Sequence, residues 1–525
     1  MEQQQLWREI EQFQQTALAT TAALHADARE IEYVRAFLQV VPLDALFGAL
    51  QVASDEADER KVKMACSAIN RVMACDGNGN LFFQPEMHPF ILGGLQHTER
   101  AARVLTLNQL IAHIKKDPNV DQIKALASEQ MLEVLCAVMA DEEIELAAKA
   151  AEVLALFSQA NGATLHEPIL DALVEAARGS GVTETSVELM RYLEAIARIA
   201  SHDDDSMRYA IAHDAVDTVF GWLQSKDTLF VMNVLDLVPK FCQTRAGILH
   251  VLESGTLQTL VGMTQDPFIG DSALRMIGEI SATAATLSID SWNWSDPMLS
   301  KTFLSTVEER LQSAEPLQQI AAMDAIAAFA STSERELKVL LQHSHLCKRL
   351  LQSGMSTKTP VKVNCLHAIA RILGAHTRLQ SVDNDDKRVP PENAPLWLLN
   401  EQLFLSLGSE CRQQSTVTLL MELLRQPFDE VRISVFALLR AVAAQNNDWG
   451  MRALRSYGGF FEFLLDRTTE PTKETREWKF AVVDAVLASP FQQTLDAVTL
   501  SKLREHMQKG PYVGAGSAQM ELEAA

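Results

Sequence analysis

Apolar positions along this chain recur with the period of a helix. Ten times a polar or proline-containing break precedes such a stretch, near Glu59, Glu99, Asp141, Thr183, Lys226, Asp266, Glu315, Thr357, Gln426 and Thr472. The breaks fall about 40 to 49 residues apart, with one longer step of 69 between Thr357 and Gln426. After each break the apolar residues sit at i, i+3, i+4 and i+7, as in Ile144, Ala147, Ala148, Ala151 and Leu154, or Leu366, Ile369, Ala370 and Leu373. A shorter stretch rich in Leu, Phe and Val follows: Val216 to Leu223, Leu257 to Val261, Phe460 to Leu465. One amphipathic hairpin cannot bury both of its apolar faces, so repetition at this interval requires stacking on neighbours. The pattern predicts an all-α fold, a HEAT/armadillo-like α-solenoid of about ten helical-hairpin repeats, extended and built to hold other proteins.

Prolines support the same punctuation. Pro267, Pro316, Pro360, Pro427 and Pro471 all stand at breaks, where proline suits a first helical turn and would disrupt a helix further in. Alanines crowd the first helices, at 147, 148, 150 and 151 and again at 321, 322, 325, 327 and 328. Side chains that small let helices approach closely while favouring helix. The expected organisation is capping helices over 1–58, the solenoid over 59–513 and a disordered tail over 514–525. The long step is expected to hold a charged, proline-rich loop at 380–395, followed by a helix through Trp397, Leu398, Leu403, Leu405 and Leu407.

Composition removes several alternatives. The 525 residues exceed one ordinary core, yet no Gly/Ser-rich linker divides them, and aromatic residues make up only 6%. No apolar run approaches the roughly 18 residues that cross a bilayer. The start, Met1 to Trp7, lacks a basic region leading into an apolar one, so a secretory signal is not expected. Seven cysteines scattered singly over predicted helices read as small core residues in a reducing compartment. A formal charge of −22 argues against nucleic acid and anionic membrane as partners. Within it, residues 334 to 379 carry eight basic and two acidic residues. Lys348, Arg349, Lys358, Lys362, Arg371 and Arg378 form the basic window that could receive an acidic peptide, although a charge run on helices is commonly a solvated face.

Candidate chemistry is sparse. Asp76-Gly77-Asn78-Gly79-Asn80 begins like a calcium loop, but Leu81 and Met87 replace the turn glycine and the bidentate acid. His343, His345 and Cys347 are too close in sequence, with no second ligand group nearby, to suggest zinc. Asp203-Asp204-Asp205 reads as a hydrophilic turn. There is no phosphate loop, nucleophile elbow or zincin motif, so no catalytic, metal or cofactor residue is expected and the chain is read as a non-enzyme. No Asn stands four residues after any Trp, which disfavours an import adaptor that uses a Trp/Asn ladder.

Four stretches carry a more specific likeness: Val40 to Leu46; Asp266-Pro267-Phe268; Gln426 through Ser489, including Tyr457-Gly458-Gly459-Phe460-Phe461 and Lys479 to Ser489; and Lys509-Gly510-Pro511-Tyr512-Val513. In these the chain resembles the family of 26S proteasome non-ATPase regulatory subunit 5, from about Glu30 to Val513. The resemblance implies an assembly chaperone of the regulatory particle base that binds the C-terminal domain of the AAA+ ATPase regulatory subunit 7. It also implies a precursor with ATPase regulatory subunit 4 and non-ATPase regulatory subunit 2, and departure before the mature 26S proteasome forms. A cytoplasmic location, with the nucleus as an additional one, goes with that reading. The loop near Asp383 to Pro395 and the tail after Val513 depart from the family pattern. The alternative from pattern alone is a generic armadillo/HEAT scaffold or transport adaptor.

Overall fold

A computed structural model describes residues 3–15, 28–75, 83–116, 120–159, 163–179, 182–183, 186–287, 289, 297–331, 333–374 and 390–512. Among them every regular element is a helix. The tail expected over 514–525, most of the loop expected over 380–395, the calcium-like segment Asp76 to Asn80 and Arg378 lie outside the described residues.

Ten helices begin within four residues of the ten sequence breaks. They are α1 (Glu59–Ala74), α2 (Arg100–Lys116), α3 (Ile144–Gln159), α4 (Val187–Ala200) and α5 (Thr228–Leu235), then α6 (Gly270–Thr286), α7 (Pro316–Ala330), α8 (Thr359–Gly374), α9 (Asp429–Ala443) and α10 (Lys473–Ala488). The break residues explain where they start. Side chains of Asp58, Asp227 and Thr472 accept hydrogen bonds from amides in the first turns of α1, α5 and α10. Asp266 accepts from the amides of Phe268 and Ile269 at 2.8 and 3.1 Å just before α6. Each such bond satisfies a donor that the helix ladder leaves open.

The chain divides into two compact units, Met1–His250 and Val251–Ala525. In the first, α1 packs on α2, α2 on α3 and α3 on α4; in the second, α6 packs on α7, and so on through α10. Between successive members the hairpin's second arm is a single helix in some repeats, such as Ala163–Ala177 and Pro297–Gln312. Elsewhere it is divided in two, as in Glu334–Gln342 with Ser344–Gln352, or Asp448–Arg455 with Phe460–Leu465. The core is the layer between the long helices and these outer arms. It holds Leu154, Phe157, Phe329, Trp397, Phe436 and Leu464, all essentially inaccessible.

Small residues set the closeness of the long helices. Ala321, Ala322, Ala325, Ala327 and Ala328 of α7 are buried, and a Cβ added to Gly278 of α6 would lie 2.5 Å from the carbonyl oxygen of Ala325. The two backbones meet there.

Some expected faces are displaced. In α3 the buried stripe is Leu146, Ala147, Ala150, Val153 and Leu154, while Ile144 and Ala148 are exposed. The stripe begins two residues later than the sequence reading placed it, because Ile144 is the first helical residue and stands beyond the layer that covers the rest. In Pro395–Glu410, Trp397, Leu403 and Leu407 are buried but Leu398 and Leu405 are exposed. Leucine alone does not mark an inward face. Asp203-Asp204-Asp205 is a helix start instead of an open turn: Asp203 caps the helix Asp204–Ala212, and Asp204 accepts from the amide of Ala246 at 2.9 Å.

Candidate functional site

The basic window is the charged feature that the sequence singles out, and the structure places its members at three different sites. Lys348 and Arg349 lie on the outer helix Ser344–Gln352, where Lys348 is 3.8 Å from Glu410. Lys358 and Lys362 lie at the start of α8. The ammonium of Lys358 donates to the carbonyl of Ala314, and that of Lys362 donates to Oε1 of Gln426 at 3.3 Å. Arg371 lies nine residues beyond Lys362 along α8, about 13 Å at the helical rise. It forms a two-pronged pair with Glu279 of α6 at 2.8 Å through each nitrogen. Of the five described members, three therefore hold neighbouring repeats together and Arg371 reaches across α7 to α6.

Lys358 and Lys362 belong to a recurring arrangement in which a long basic side chain ties one break to the next. In the first unit Arg103 pairs with Asp141, and Arg191 donates to the carbonyls of Met139 and Asp141 at 2.9 and 2.5 Å. Hydrogen bonds from the Glu143 amide and the Arg103 guanidinium hold the Asp141 carboxyl below the usual range. In the second unit Arg310 donates to the carbonyl of Thr264 at 3.2 Å. Arg432 reaches the carbonyl of Thr469 at 3.0 Å and grips both oxygens of Glu470 at 2.7 and 2.8 Å. Sequence reasoning missed this set. The available signal was a basic residue at the fourth or fifth position of a long helix, as in Arg103, Arg191, Lys362 and Arg432.

The most deeply buried charges surround Glu470. Its side chain is 1% accessible, against 10% for Arg432 and 6% for Lys479. The Lys479 ammonium is 3.9 Å from Glu470, donates to the carbonyl of Asp466 at 2.6 Å and to the hydroxyl of Thr469 at 2.5 Å, and lies 4.1 Å above the Phe463 ring. Burial pushes its pKa down to about 8, with the Glu470 charge opposing that fall. Within this cluster every ion has an opposite charge or an aligned acceptor, the condition under which buried charge is tolerated.

The residues considered for chemistry are apart. His343 and His345 are exposed while Cys347 points into the core. All seven cysteines are buried and unpaired, and burial raises the thiol of Cys136 to about 12 and of Cys66 to about 11. Glu167, Asp171 and His213 can bring one ligand atom each within 4.8 Å of the others. Both acids are exposed, and the imidazole lies 3.8 Å from Asp171, so the group is an open surface cluster of two acids beside one histidine. In the first unit a cleft of about 400 Å³ lies among Phe47, Gly48, Met73, Phe90, Gly94 and Leu105, with the Phe47 and Phe90 rings stacked at 4.7 Å. Among the described residues no single helix is long and apolar enough to cross a membrane.

The sequence model of the family described as proteasome non-ATPase 26S subunit matches residues 2–524. The chain is 23% identical over 516 residues to 26S proteasome non-ATPase regulatory subunit 5 of Homo sapiens, covering 94% of this chain and 96% of that protein. It is 20% identical over 525 residues to the protein of the same name from Drosophila melanogaster, with 97% and 94% covered. Among solved structures, an engineered protein is 18% identical with a TM-score of 0.39, covering 82% of this chain and 99% of its own. A computationally designed armadillo repeat protein for modular peptide recognition is 18% identical with a TM-score of 0.33, covering 52% and 99%.

Proposed function

The chain belongs to the proteasome non-ATPase 26S subunit family, and from that premise we propose that it is a non-catalytic chaperone for assembly of the proteasome regulatory particle base. In this reading it binds the C-terminal domain of ATPase regulatory subunit 7, within a precursor that also holds ATPase regulatory subunit 4 and non-ATPase regulatory subunit 2. It leaves before the mature 26S proteasome forms, and it works in the cytoplasm and the nucleus. The observation that carries the proposal is the family match over nearly the whole chain, on a fold of stacked repeats. Such a fold offers a long series of side chains to one folded partner.

The physical role follows from how the repeats are joined. Close packing at Gly278 joins α6 to α7, and basic side chains reach across the breaks from Lys362 of α8 and Arg432 of α9. A surface assembled this way is set before the partner arrives, which limits the ordering cost of association. Recognition of a folded domain surface requires no nucleotide.

The test is a titration of the purified chain with the isolated C-terminal domain of regulatory subunit 7, without nucleotide, followed by isolation of finished proteasomes from cells. Stoichiometric binding and absence of the chain from finished particles are expected. A pull-down with folded protein that recovers no ATPase-ring subunit would overturn the proposal and leave the generic scaffold reading.

A further inference from the structure

Two helices of the first unit carry glycine where packing does not ask for it. In helix Leu43–Asp55, Asp44, Phe47, Gly48 and Gln51 stand at i, i+3, i+4 and i+7, which is one helix face. In helix His88–Leu95 and the turn after it, Phe90, Gly93 and His97 repeat that spacing. Both faces line the cleft of about 400 Å³ described above, together with Ile69 and Met73 of α1. A Cβ added to Gly48 or Gly93 would meet nothing within 4 Å, so neither glycine is there to let helices touch. Gly94 differs, since a Cβ there would strike the hydroxyl of Thr106. Glycine inside a helix is unfavourable. What it leaves at 48 and 93 is exposed backbone that an occupant of the cleft can approach closely.

The polar groups of the cleft decide the chemistry of that occupant. His97 is neutral, because burial holds its pKa below the ordinary range, and its Nδ1 accepts from the amide of Glu99 at 3.0 Å. Among the described residues that line the cleft, Asp44 therefore carries the one full charge, and no described residue pairs with it. The amide nitrogens of Gln51 and Gln109 donate to Asp55 and Asn70 at 2.9 and 2.6 Å, and the Thr106 hydroxyl donates to the carbonyl of Ala102 at 2.9 Å. Each of these three side chains keeps an oxygen that can accept. Asp55 and Glu99 add negative charge close to His97, while Arg103, which opposes them, is paired with Asp141. The cleft is thus short of cations and rich in acceptors. An anion would be repelled, and a neutral hydrocarbon would gain nothing from Asp44. An ammonium group gains a charged partner. Phe47 and Phe90, stacked at 4.7 Å, give the rest of the molecule a flat apolar wall, and their ring faces attract cations as well.

We infer that the cleft between helices Leu43–Asp55 and His88–Leu95 is a binding site for a small organic cation, an aliphatic or aromatic body carrying one primary ammonium. Its volume of about 400 Å³ falls within the roughly 300–1,000 Å³ of pockets that hold small molecules. The inference does not depend on the chaperone reading.

The experiment uses the full chain and dansylcadaverine, a naphthalene sulfonamide with a primary ammonium on an alkyl stem, whose fluorescence rises when it leaves water. Its N-acetylated form keeps the body and removes the charge. Wild type should bind the cation saturably and the neutral form at least tenfold more weakly. D44N should erase that preference. G48L and G93L should each bind the cation at least tenfold more weakly, because leucine fills the cleft. Their melting temperatures should hold or rise, because leucine favours helix and its Cβ meets no neighbour at either position. Lost binding by a folded variant therefore reports on the cleft itself. The absence of saturable binding by wild type, equal binding of the neutral form, or undiminished binding by both leucine variants overturns the inference. If the ATPase domain displaces the dye and fails to bind G48L, the cleft takes a side chain of that partner and the small-molecule site fails. Binding of that domain to both leucine variants after they have lost the dye separates this result from the chaperone test.

Discussion

Replacing Glu470 by Gln keeps the shape of the side chain and removes the one negative charge that Arg432 and Lys479 share. Arg432 would retain its carbonyl acceptors on Leu424 and Thr469, but both cations would be left in a site where neither is more than 10% accessible. At 3.9 Å and an effective dielectric constant of about 20, the attraction between Glu470 and the charged Lys479 is about 4 kcal/mol. With a folded pKa of about 8, however, the ammonium can release its proton at pH 7 for about 1.4 kcal/mol, which caps the loss through Lys479 and leaves the larger share to Arg432. Breaking one partner of a buried pair generally costs about 3–5 kcal/mol. The amides of α10 and of residues 466–472 should therefore exchange roughly two to three and a half orders of magnitude faster at pH 7. The cost should also depend on pH with a definite sign. Lys479 has a folded pKa of about 8 against an ordinary 10.5, so the unfolded chain binds the extra proton between those values and wild-type stability rises with pH there. The share of the E470Q cost that comes through Lys479 is fully present well below pH 8 and fades as pH rises through 8 and the ammonium is lost, whereas the share through Arg432 stays. Adding K479M should recover that part at pH 7. Calorimetric melting of wild type, E470Q and the double variant at pH 7 and 9.5 checks this. A cost below about 1 kcal/mol, or one identical at both pH values, would refute the account of the cluster.

Gly278→Ala should destabilise the chain by more than about 1 kcal/mol in thermal unfolding, opposite to the gain that helix propensity assigns to alanine, because the new methyl meets the Ala325 backbone; a raised melting temperature would show that α6 and α7 can part without cost. Leu154→Asp and Leu464→Asp, both at fully buried positions, should each cost several kcal/mol through lost packing and an unpaired carboxylate, and unchanged melting of both would contradict the assigned core. His506 has its pKa pushed down to about 4 by burial and then by Arg467, Lys479 and Lys509. Its contribution is complete above pH 6.5 and is lost as pH falls towards 4, so His506→Gln should flatten the acid side of the stability profile in that window. The seven thiols should react with a maleimide only as the chain unfolds, and fast labelling of the native protein would contradict their burial.

The fold was legible because its signal repeats. A break residue such as Asp58, Asp227 or Thr472 caps a helix through a local hydrogen bond, and local chemistry can be read from a short stretch of sequence. Faces were harder. Ile144 and Leu398 match a helical stripe as well as Leu154 and Trp397 do, and only the placement of neighbouring helices decides which of them is covered. The partner-facing chemistry was least legible. The sequence shows Lys348, Lys358, Lys362 and Arg371 as one positive window, whereas their partners Glu410, Ala314, Gln426 and Glu279 come from as far as 92 residues away. Prolines read as punctuation were correctly placed at helix starts, but nothing in a Pro-Phe dipeptide tells whether the phenyl ring goes under the helix or out into solvent.

The alanine-filled layer between α6 and α7 bears on how such a chain can diverge. Positions such as Ala321, Ala322 and Ala325 require a small side chain, and the outer arms require apolar ones of fitting size; few of these demands name a single residue. Each repeat answers only to its neighbours, so a change in one is compensated nearby or not at all, and residues added at a break displace no core. A lineage under constraints this local can replace about four residues in five, as separate this chain from its human relative, and keep its helices in register. What should resist replacement is not the long apolar stripes but the few places where backbones touch or buried charges close on one another: Gly278 against Ala325, and Glu470 between Arg432 and Lys479.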